Sequence, residues 1–365
     1  MSKDKFLAIE AELKSRYIQR DDEIHGMLLA TLSGQHILFV GPPGTAKSMI
    51  VYDYSRYLQA RHFKYLLTQF TTPDELFGPV SLSGLKEDRH RRVTTKKLPE
   101  AQVAYLDEVF KAGSTVLNTL LKILQEREYD NDTTTIACPL LFCAASSNEL
   151  PEESDGDGLS AFYDRFLLRY LTSYIDNEGD FRRLLDVPEP VYTAASMTYD
   201  EVIADKDDAQ SMPIDPDARD GLAVVWTKLR EAGIIMSDRR YRMLLKVMAA
   251  ESWLQGLTSI SPDSLLVGVN VLWNKPDEIR KVQQIVRTSI NPVKAKADTI
   301  IEAAREALKN LHEYTESNQM VQLVRQLKQM RGELVSLTQT GYVQAATVRL
   351  DEMGKQVTNK LLGVS

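Results

Sequence analysis

One stretch restricts the fold of this chain more than any other: Gly41-Pro-Pro-Gly-Thr-Ala-Lys-Ser48. It follows directly on the apolar run His36-Ile-Leu-Phe-Val40 and leads into a helical pattern over residues 46–61. A strand that feeds a glycine-bearing loop and then a helix opens a βα unit, and such units build parallel sheets covered by helices on both faces. The other strand candidates suit that plan, being short apolar runs at residues 63–68, 103–106, 140–146 and 166–171, separated by helical stretches such as residues 114–127. Two helices precede the first strand. Phe6, Leu7, Ile9, Leu13, Tyr17 and Ile18 recur at helical spacing, and a second helix over residues 22–32 stops at Ser33-Gly34.

The loop also predicts chemistry. The backbone of Gly41, Pro42, Pro43, Gly44, Thr45, Ala46, Lys47, Ser48 and the following Met49 would wrap a phosphate, with the helix N-terminus adding partial positive charge. Lys47 would contact the β- and γ-phosphates of ATP, and the Ser48 hydroxyl would ligate Mg²⁺. Ala46 stands where glycine normally precedes the lysine. Its methyl group either crowds the phosphate or is harmless because the backbone there is already helical.

Val103-Ala-Tyr-Leu-Asp107-Glu108 is an apolar strand ending in two carboxylates. A hydrophobic strand cannot bury them, so they emerge at its C-terminal edge, where open α/β sheets bind ligands. Asp107 would hold Mg²⁺ and Glu108 would polarise the attacking water. Asn148, at the end of the next apolar strand, would orient that water against the γ-phosphate. Acids after a strand also mark helix starts, and asparagine also marks turns. Their order behind Lys47 is what gives them a common site.

A net charge of −7 argues against a surface that coats nucleic acid. The longest apolar runs are strand-sized and far short of a membrane span. Met1-Ser-Lys-Asp-Lys5 lacks the apolar segment of a secretory signal, which predicts a cytoplasmic protein with no membrane partner. Cys138 and Cys143 are placed on one strand with opposite parity, as buried reduced thiols facing opposite sheet surfaces.

The character of the chain changes near Asp186. Residues 186–220 are rich in proline and acidic groups, which suits a long connection. Residues 221–287 are helical in pattern, with Trp226, Leu229, Met243, Leu244, Met248, Trp253 and Leu272 available for a small core. Beyond Asn291-Pro292, Met320, Leu323, Leu327, Met330, Leu334 and Leu337, then Val343, Ala346, Leu350, Met353, Val357 and Leu361, mark an antiparallel helical hairpin, with residues 297–314 as a third member. The expected division is a nucleotide-binding core over residues 1–190, a linker and all-helical lid over 191–290, and a C-terminal helical arm over 291–365.

Together these residues resemble the AAA+ superfamily and, within it, the MoxR family, most closely its RavA-like branch, over about Asp21 to Arg287. The resemblance rests on the alanine before Lys47, on residues 70–79, 98–102 and 147–151, on Ala161-Phe-Tyr-Asp-Arg165-Phe and on Ser237-Asp-Arg239-Arg240. It implies an α/β fold, an αβα sandwich around a parallel five-stranded sheet with an all-helical lid, assembled as a hexamer. Arg165 would reach the γ-phosphate in the neighbouring subunit, with Arg169 as a rival; the plainer alternative for Arg165 is a salt bridge with Asp164 or another acid at a helix end. Arg239, with Arg240 as a competitor, would be the lid's sensor, acting within its own subunit or on the neighbour. Residues 80–98 have the place and size of a family-type hairpin insertion, carrying Lys86, Arg89, Arg91, Arg92, Lys96 and Lys97. That hairpin either faces a central pore or is a solvated loop.

The implied activity is Mg-dependent ATP hydrolysis that drives chaperone-like remodelling or maturation of protein partners, among them one with a von Willebrand factor A domain. The alternative is a nucleic-acid-stimulated motor, helicase-like or a translocase. The RavA-like proteins carry a small β-rich domain beyond the lid. Here a helical arm stands in that place, so partners that depend on that domain are not carried over.

Overall fold

The computed structural model describes residues 2–151, 157–187, 192–290, 292–308, 317–337 and 341–362. Its strands are β1 (His36–Val40), β2 (His62–Leu66), β3 (Val103–Asp107), β4 (Glu128–Asn131), β5 (Thr134–Ala137), β6 (Phe142–Ser147) and β7 (Phe166–Leu171). Five of them form one parallel sheet in the order β2-β3-β6-β1-β7, while β4 and β5 make a separate antiparallel pair. The strands β1 and β6 are buried along their whole length, as near-continuous apolar runs in a doubly covered sheet should be. The chain leaves β1 for the far edge at β2 and works back to β6, then adds β7 on the other side of β1. The C-terminal end of β1 therefore lies at the switch point where such sheets bind ligands.

The helices are α1 (Ser2–Arg16), α2 (Asp21–Ser33), α3 (Lys47–Tyr57), α4 (Pro73–Phe77), α5 (Leu82–Leu85), α6 (Ser114–Glu126), α7 (Asp157–Tyr163), α8 (Glu178–Leu185), α9 (Tyr199–Gln210), α10 (Pro216–Glu231), α11 (Asp238–Leu254), α12 (Ile279–Ile290), α13 (Pro292–Leu308), α14 (Ser317–Ser336) and α15 (Gly341–Leu362). Gly34 caps α2 in the left-handed conformation at φ 65°, the turn that Ser33-Gly34 predicts.

Three expectations need correction and a fourth is refined. Cys138 and Cys143 do not share a strand: Cys138 follows β5, Cys143 lies in β6, and Pro139 breaks the run between them. Both are buried free thiols, and burial pushes their pKa values up to about 11 and about 12. The connection over residues 186–220 contains the helix α9, started by a capping box between Thr198 and Glu201 and packed on α2. Residues 80–98 hold only the single-turn α5 and one bridge from Val80 to Arg92. Hydrogen bonds from the Ser81 N–H to Arg91 O and from the Val93 N–H to Pro79 O flank that antiparallel bridge, so the segment is a hairpin without regular strands. The longer antiparallel pair is β4–β5, and Asn131 of β4 clamps the backbone of Arg92 on both sides, at 2.7 and 3.0 Å. Finally, Trp226 is 41% exposed, whereas Trp273 is buried to 1%.

The chain divides into two compact units, one of residues 1–219 and 234–278 and the other of 220–233 and 279–365. This differs from the expected segments, because most of α10 and α12 group with the arm while α9 and α11 group with the sheet. The second unit contains a three-helix assembly of α13, α14 and α15 around Ile300, Ala304, Leu323, Leu327, Leu334, Val343, Leu350 and Val357. The expected end of its first helix at Tyr314, and the expected boundary at residues 190–191, lie outside the described residues.

Candidate active site

The phosphate loop is pinned where it leaves the sheet. The Gly41 N–H donates to Ser147 O of β6 at 3.0 Å, and the Thr172 N–H after β7 donates to Val40 O at 2.8 Å. A Cβ at Gly41 would lie 1.9 Å from Thr172 O, so only glycine admits this approach. Ala46 is not helical. It adopts the left-handed conformation, φ 64° and ψ 9°, and α3 begins one residue later at Lys47. That conformation costs an L-residue roughly 1–2 kcal/mol, which explains why glycine is usual there.

The Lys47 ammonium donates to Gly41 O at 2.7 Å, Pro42 O at 2.6 Å and Thr45 Oγ1 at 3.3 Å, so it lies inside the loop. Burial lowers its pKa; the carboxylates of Asp107 and Glu108 oppose the shift and Arg20 adds to it. Because β3, β6 and β1 are successive in the sheet, the acidic pair at the end of β3 and the lysine loop after β1 share its C-terminal edge. Met49, in the first turn of α3, is 61% exposed.

Two residues of this rim escape sequence reasoning. Arg20, just before α2, is buried; its Nε donates to Thr45 O at 3.2 Å, and its other nitrogens reach Gln19 O and Ser173 O. It ties the loop to the end of β7 across 153 residues of sequence, and no local pattern marks it. Ser146 of β6 donates its hydroxyl to Asp107 Oδ1, and Tyr105 OH donates to Ser146 Oγ at 2.8 Å. The register that pairs Leu106 with Ala145 brings this about, and register is not written in either strand alone.

Asp107 ends β3, and its Oδ1 also accepts from the Glu108 N–H at 3.2 Å. Glu108 turns out of the strand with φ 52° and ψ 45°, a strained conformation for a side-chain-bearing residue. Its Oε1 accepts from Asn148 Nδ2 at 2.7 Å and its Oε2 lies 3.1 Å from Lys111 Nζ. Asn148 thus joins the acidic pair through Glu108.

The arginines lie elsewhere. Asp164 and Arg165 stand between α7 and the start of β7, and β7 runs parallel to β1 with His36 opposite Phe166 and Val40 opposite Leu171. They are therefore at the N-terminal edge of the sheet, while the loop is at the C-terminal edge, roughly 20 Å away along a six-residue strand. Arg239, at the start of α11, is beside them: its Nη1 is 3.4 Å from Asp164 O and 3.6 Å from Asp164 Oδ2.

Arg169 cannot compete with Arg165. It is fully buried, donates to Phe166 O, Trp273 O and Tyr163 O at 2.9, 2.6 and 3.2 Å, and stacks 3.6 Å over the Tyr163 ring. Arg240 is buried as well, with donors on Asp164 Oδ1 at 2.6 Å and Trp273 O at 3.1 Å, whereas the Arg239 side chain is 38% exposed.

Residues 4–206 match the family model for the MoxR domain in MoxR–vWA–β-propeller ternary systems, and residues 219–286 match that of a AAA lid domain. The chain belongs to the MoxR family. An uncharacterised protein of Methanocaldococcus jannaschii is 38% identical to it over 275 residues, which cover 75% of this chain and 73% of that protein. The chaperone MoxR1 of Mycobacterium tuberculosis is 26% identical over 170 residues, 46% of this chain and 44% of that protein. The fold is similar to that of a Cytophaga hutchinsonii protein solved by crystallography as a candidate ATPase, with a TM-score of 0.63 at 18% identity, covering 79% of this chain and 94% of that one. This MoxR chain accordingly has the AAA+ α/β fold with a helical lid.

The donor set of the MoxR site suits Mg²⁺. Among the described residues no group of three or more His, Cys, Asp and Glu could cage a metal ion. Mg²⁺ characteristically needs one or two protein oxygens, with water and substrate phosphates completing its shell. Asp107 at the end of β3 and Ser48 in the first turn of α3 are a carboxylate and a hydroxyl of the kind such a shell uses. Among the described residues, no helix is long and apolar enough to cross a membrane.

Proposed function

We propose that this MoxR protein hydrolyses ATP with Mg²⁺ as a hexamer of like subunits, and that turnover remodels or matures a protein partner. The observation that carries the reading is the meeting of Lys47, Asp107, Glu108 and Asn148 around one pinned loop. Gly41, Pro42, Pro43, Gly44, Thr45, Ala46, Lys47, Ser48 and Met49 form the nucleotide cradle, and Lys47 turns its donors from loop carbonyls to the β- and γ-phosphates. Ser48 and Asp107 hold Mg²⁺, which neutralises charge on the phosphate oxygens. Glu108 accepts the proton of the attacking water, and Asn148 fixes the orientation of Glu108.

Arg165 and Arg239 act on the ATP of the neighbouring subunit, because both stand at the edge of the sheet opposite their own loop. The alanine before Lys47 supports a place in the RavA-like branch. Proteins described as vWA and β-propeller companions of the matched MoxR domain support a von Willebrand factor A partner. The name of the mycobacterial relative supports a chaperone role, and we place this work in the cytoplasm.

Within residues 80–98, Leu82 is 78% and Leu85 49% exposed, next to exposed Lys86, Arg89 and Arg91. Apolar tips among cations suit a polypeptide with acidic and apolar side chains. The same cations favour the second reading, a nucleic-acid-stimulated motor. The deciding experiment uses Glu108→Gln, which should retain ATP and lose turnover by roughly 10²-fold or more. Pull-down with this variant in ATP should capture a protein. Unchanged turnover would remove the hydrolytic reading, and a DNA- or RNA-stimulated, steeply salt-dependent rate would install the motor.

A further inference from the structure

At the N-terminal edge of the sheet one carboxylate serves three arginines. Asp164 Oδ1 accepts from Arg240 Nη2 at 2.6 Å, while its Oδ2 stands 3.6 Å from Arg239 Nη1 and 3.9 Å from Arg165 Nη1. Arg240 is buried, and its Nη1 also donates to Val271 O at 3.3 Å and Trp273 O at 3.1 Å, so it anchors the carboxylate. The other two guanidiniums are beyond hydrogen-bond reach of Oδ2. That oxygen attracts both, and among the described residues only Arg239 Nη1 of their donors is drawn on, by Asp164 O at 3.4 Å.

Two further observations point outward from this cluster. Arg165 Nε is buried and has no hydrogen-bond partner among the described residues. Burial lowers the pKa of Arg239, and the charge of Arg165 lowers it further, so the two cations repel at close range. Three cations around one anion leave an excess of positive charge with unspent planar donors, which fits the oxygens of a polyphosphate. The chain's own phosphate loop is at the opposite edge, so that polyphosphate comes from another molecule.

We propose that Asp164 is a positioning residue that holds Arg165 and Arg239 together and aims them, as a unit, at the triphosphate bound by a second copy of this chain. The proposal rests on the ATPase reading above. Its signature is an exported defect: a subunit damaged at Asp164 keeps its own site and fails its neighbour.

The test uses the whole chain. Asp164→Asn keeps an acceptor for Arg240 and removes the charge, and Asp164→Glu restores the charge. Asp164→Asn should lower turnover at least tenfold, while affinity for a fluorescent ATP analogue stays within about twofold of the parent. Asp164→Glu should recover part of the rate. In an Arg165→Ala background, Asp164→Asn should lower turnover by less than about twofold more, since residues that act as one unit are not additive.

Mixing is the decisive arm. Lys47→Ala protein, inactive alone, and Asp164→Asn protein, at least tenfold impaired alone, should regain turnover when co-assembled, because the first lends sound arginines to the sound sites of the second. Parental turnover in Asp164→Asn, lost analogue binding, or no recovery on mixing would overturn the proposal. A parent protein that binds the analogue without any turnover would instead remove the ATPase reading, and the proposal with it.

Discussion

At the C-terminal edge of the sheet the candidate side chains are held by short hydrogen bonds, and at the N-terminal edge Arg165 and Arg239 are held loosely. Lys47 donates to loop carbonyls at 2.6 and 2.7 Å, and Asn148 holds Glu108 at 2.7 Å. Arg165 and Arg239 stand 3.9 and 3.6 Å from the carboxylate between them, and both side chains reach solvent. Short contacts hold these side chains in place, and Lys47 would exchange its loop carbonyls for a ligand's oxygens. Long contacts with donors to spare make half of a site. Under the proposed function, the contrast teaches that one subunit would be complete for binding and incomplete for turnover.

The largest expected effect breaks that contrast most directly. Lys47→Ala should abolish binding of a fluorescent ATP analogue, because the Lys47 ammonium lies inside the loop whereas buried Arg20 is held on Thr45 O and Ser173 O. Arg165→Ala should leave that binding and the assembled mass unchanged and lower steady-state turnover at least tenfold, within the ~10³–10⁵ that arginine fingers contribute elsewhere. If both variants lost binding alike, the two edges would be one site and the comparison would fail.

A smaller effect concerns the attachment of α11, which carries Arg239. His25 of α2 lies between Glu10 of α1, at 2.8 Å, and Glu251 of α11, at 2.6 Å. Burial alone would lower its pKa, but hydrogen bonds to the two carboxylates prevail and raise it to about 9. Lys14, 2.7 Å from Glu10, is the other charge at this junction. A raised pKa in the folded state means stability that is fully present below the ordinary histidine value and lost as pH rises through about 9. The contribution is on the order of 2 kcal/mol once partial exposure is allowed for. Thermal melts from pH 6 to 10 should show the parent losing stability across that window while His25→Gln starts lower and stays flatter. Parallel curves would show that the imidazolium does not bind α11 to the core.

What was legible in the sequence was local. β1 and β7 have the predicted bounds, and Lys47, Asp107, Glu108 and Asn148 meet as their order along the chain suggests, because each follows an apolar strand whose end fixes its place. What was not legible depends on partners far away in sequence. Nothing near Arg20 announces Thr45 or Ser173. Nothing near Asp164 announces Arg239 and Arg240, 75 and 76 residues on. Residues 80–98 close on themselves through the antiparallel bridge of Val80 with Arg92, as their place and size suggest, but the pairing extends no further into strands. Proline and acids hid α9, whose capping box at Thr198 was the better guide.

The smallest expected effect lies in the loop backbone. Ala46 and Glu108 both hold positive φ, 64° and 52°, so the edge that is complete for binding is also strained. Ala46→Gly should relieve roughly 1–2 kcal/mol of left-handed strain, partly offset by the greater freedom of glycine in the unfolded chain, about 0.4–1 kcal/mol. The net gain should be below about 1 kcal/mol, a rise of a few degrees at most in melting temperature. The same change at exposed Ala223, inside α10, has no strain to relieve and should instead cost about 0.5–1 kcal/mol. Opposite signs from one chemical change would locate the strain in the loop; equal losses at both positions would mean that Ala46 sits in an ordinary helical turn, and that the cradle around Lys47 is held by its contacts alone.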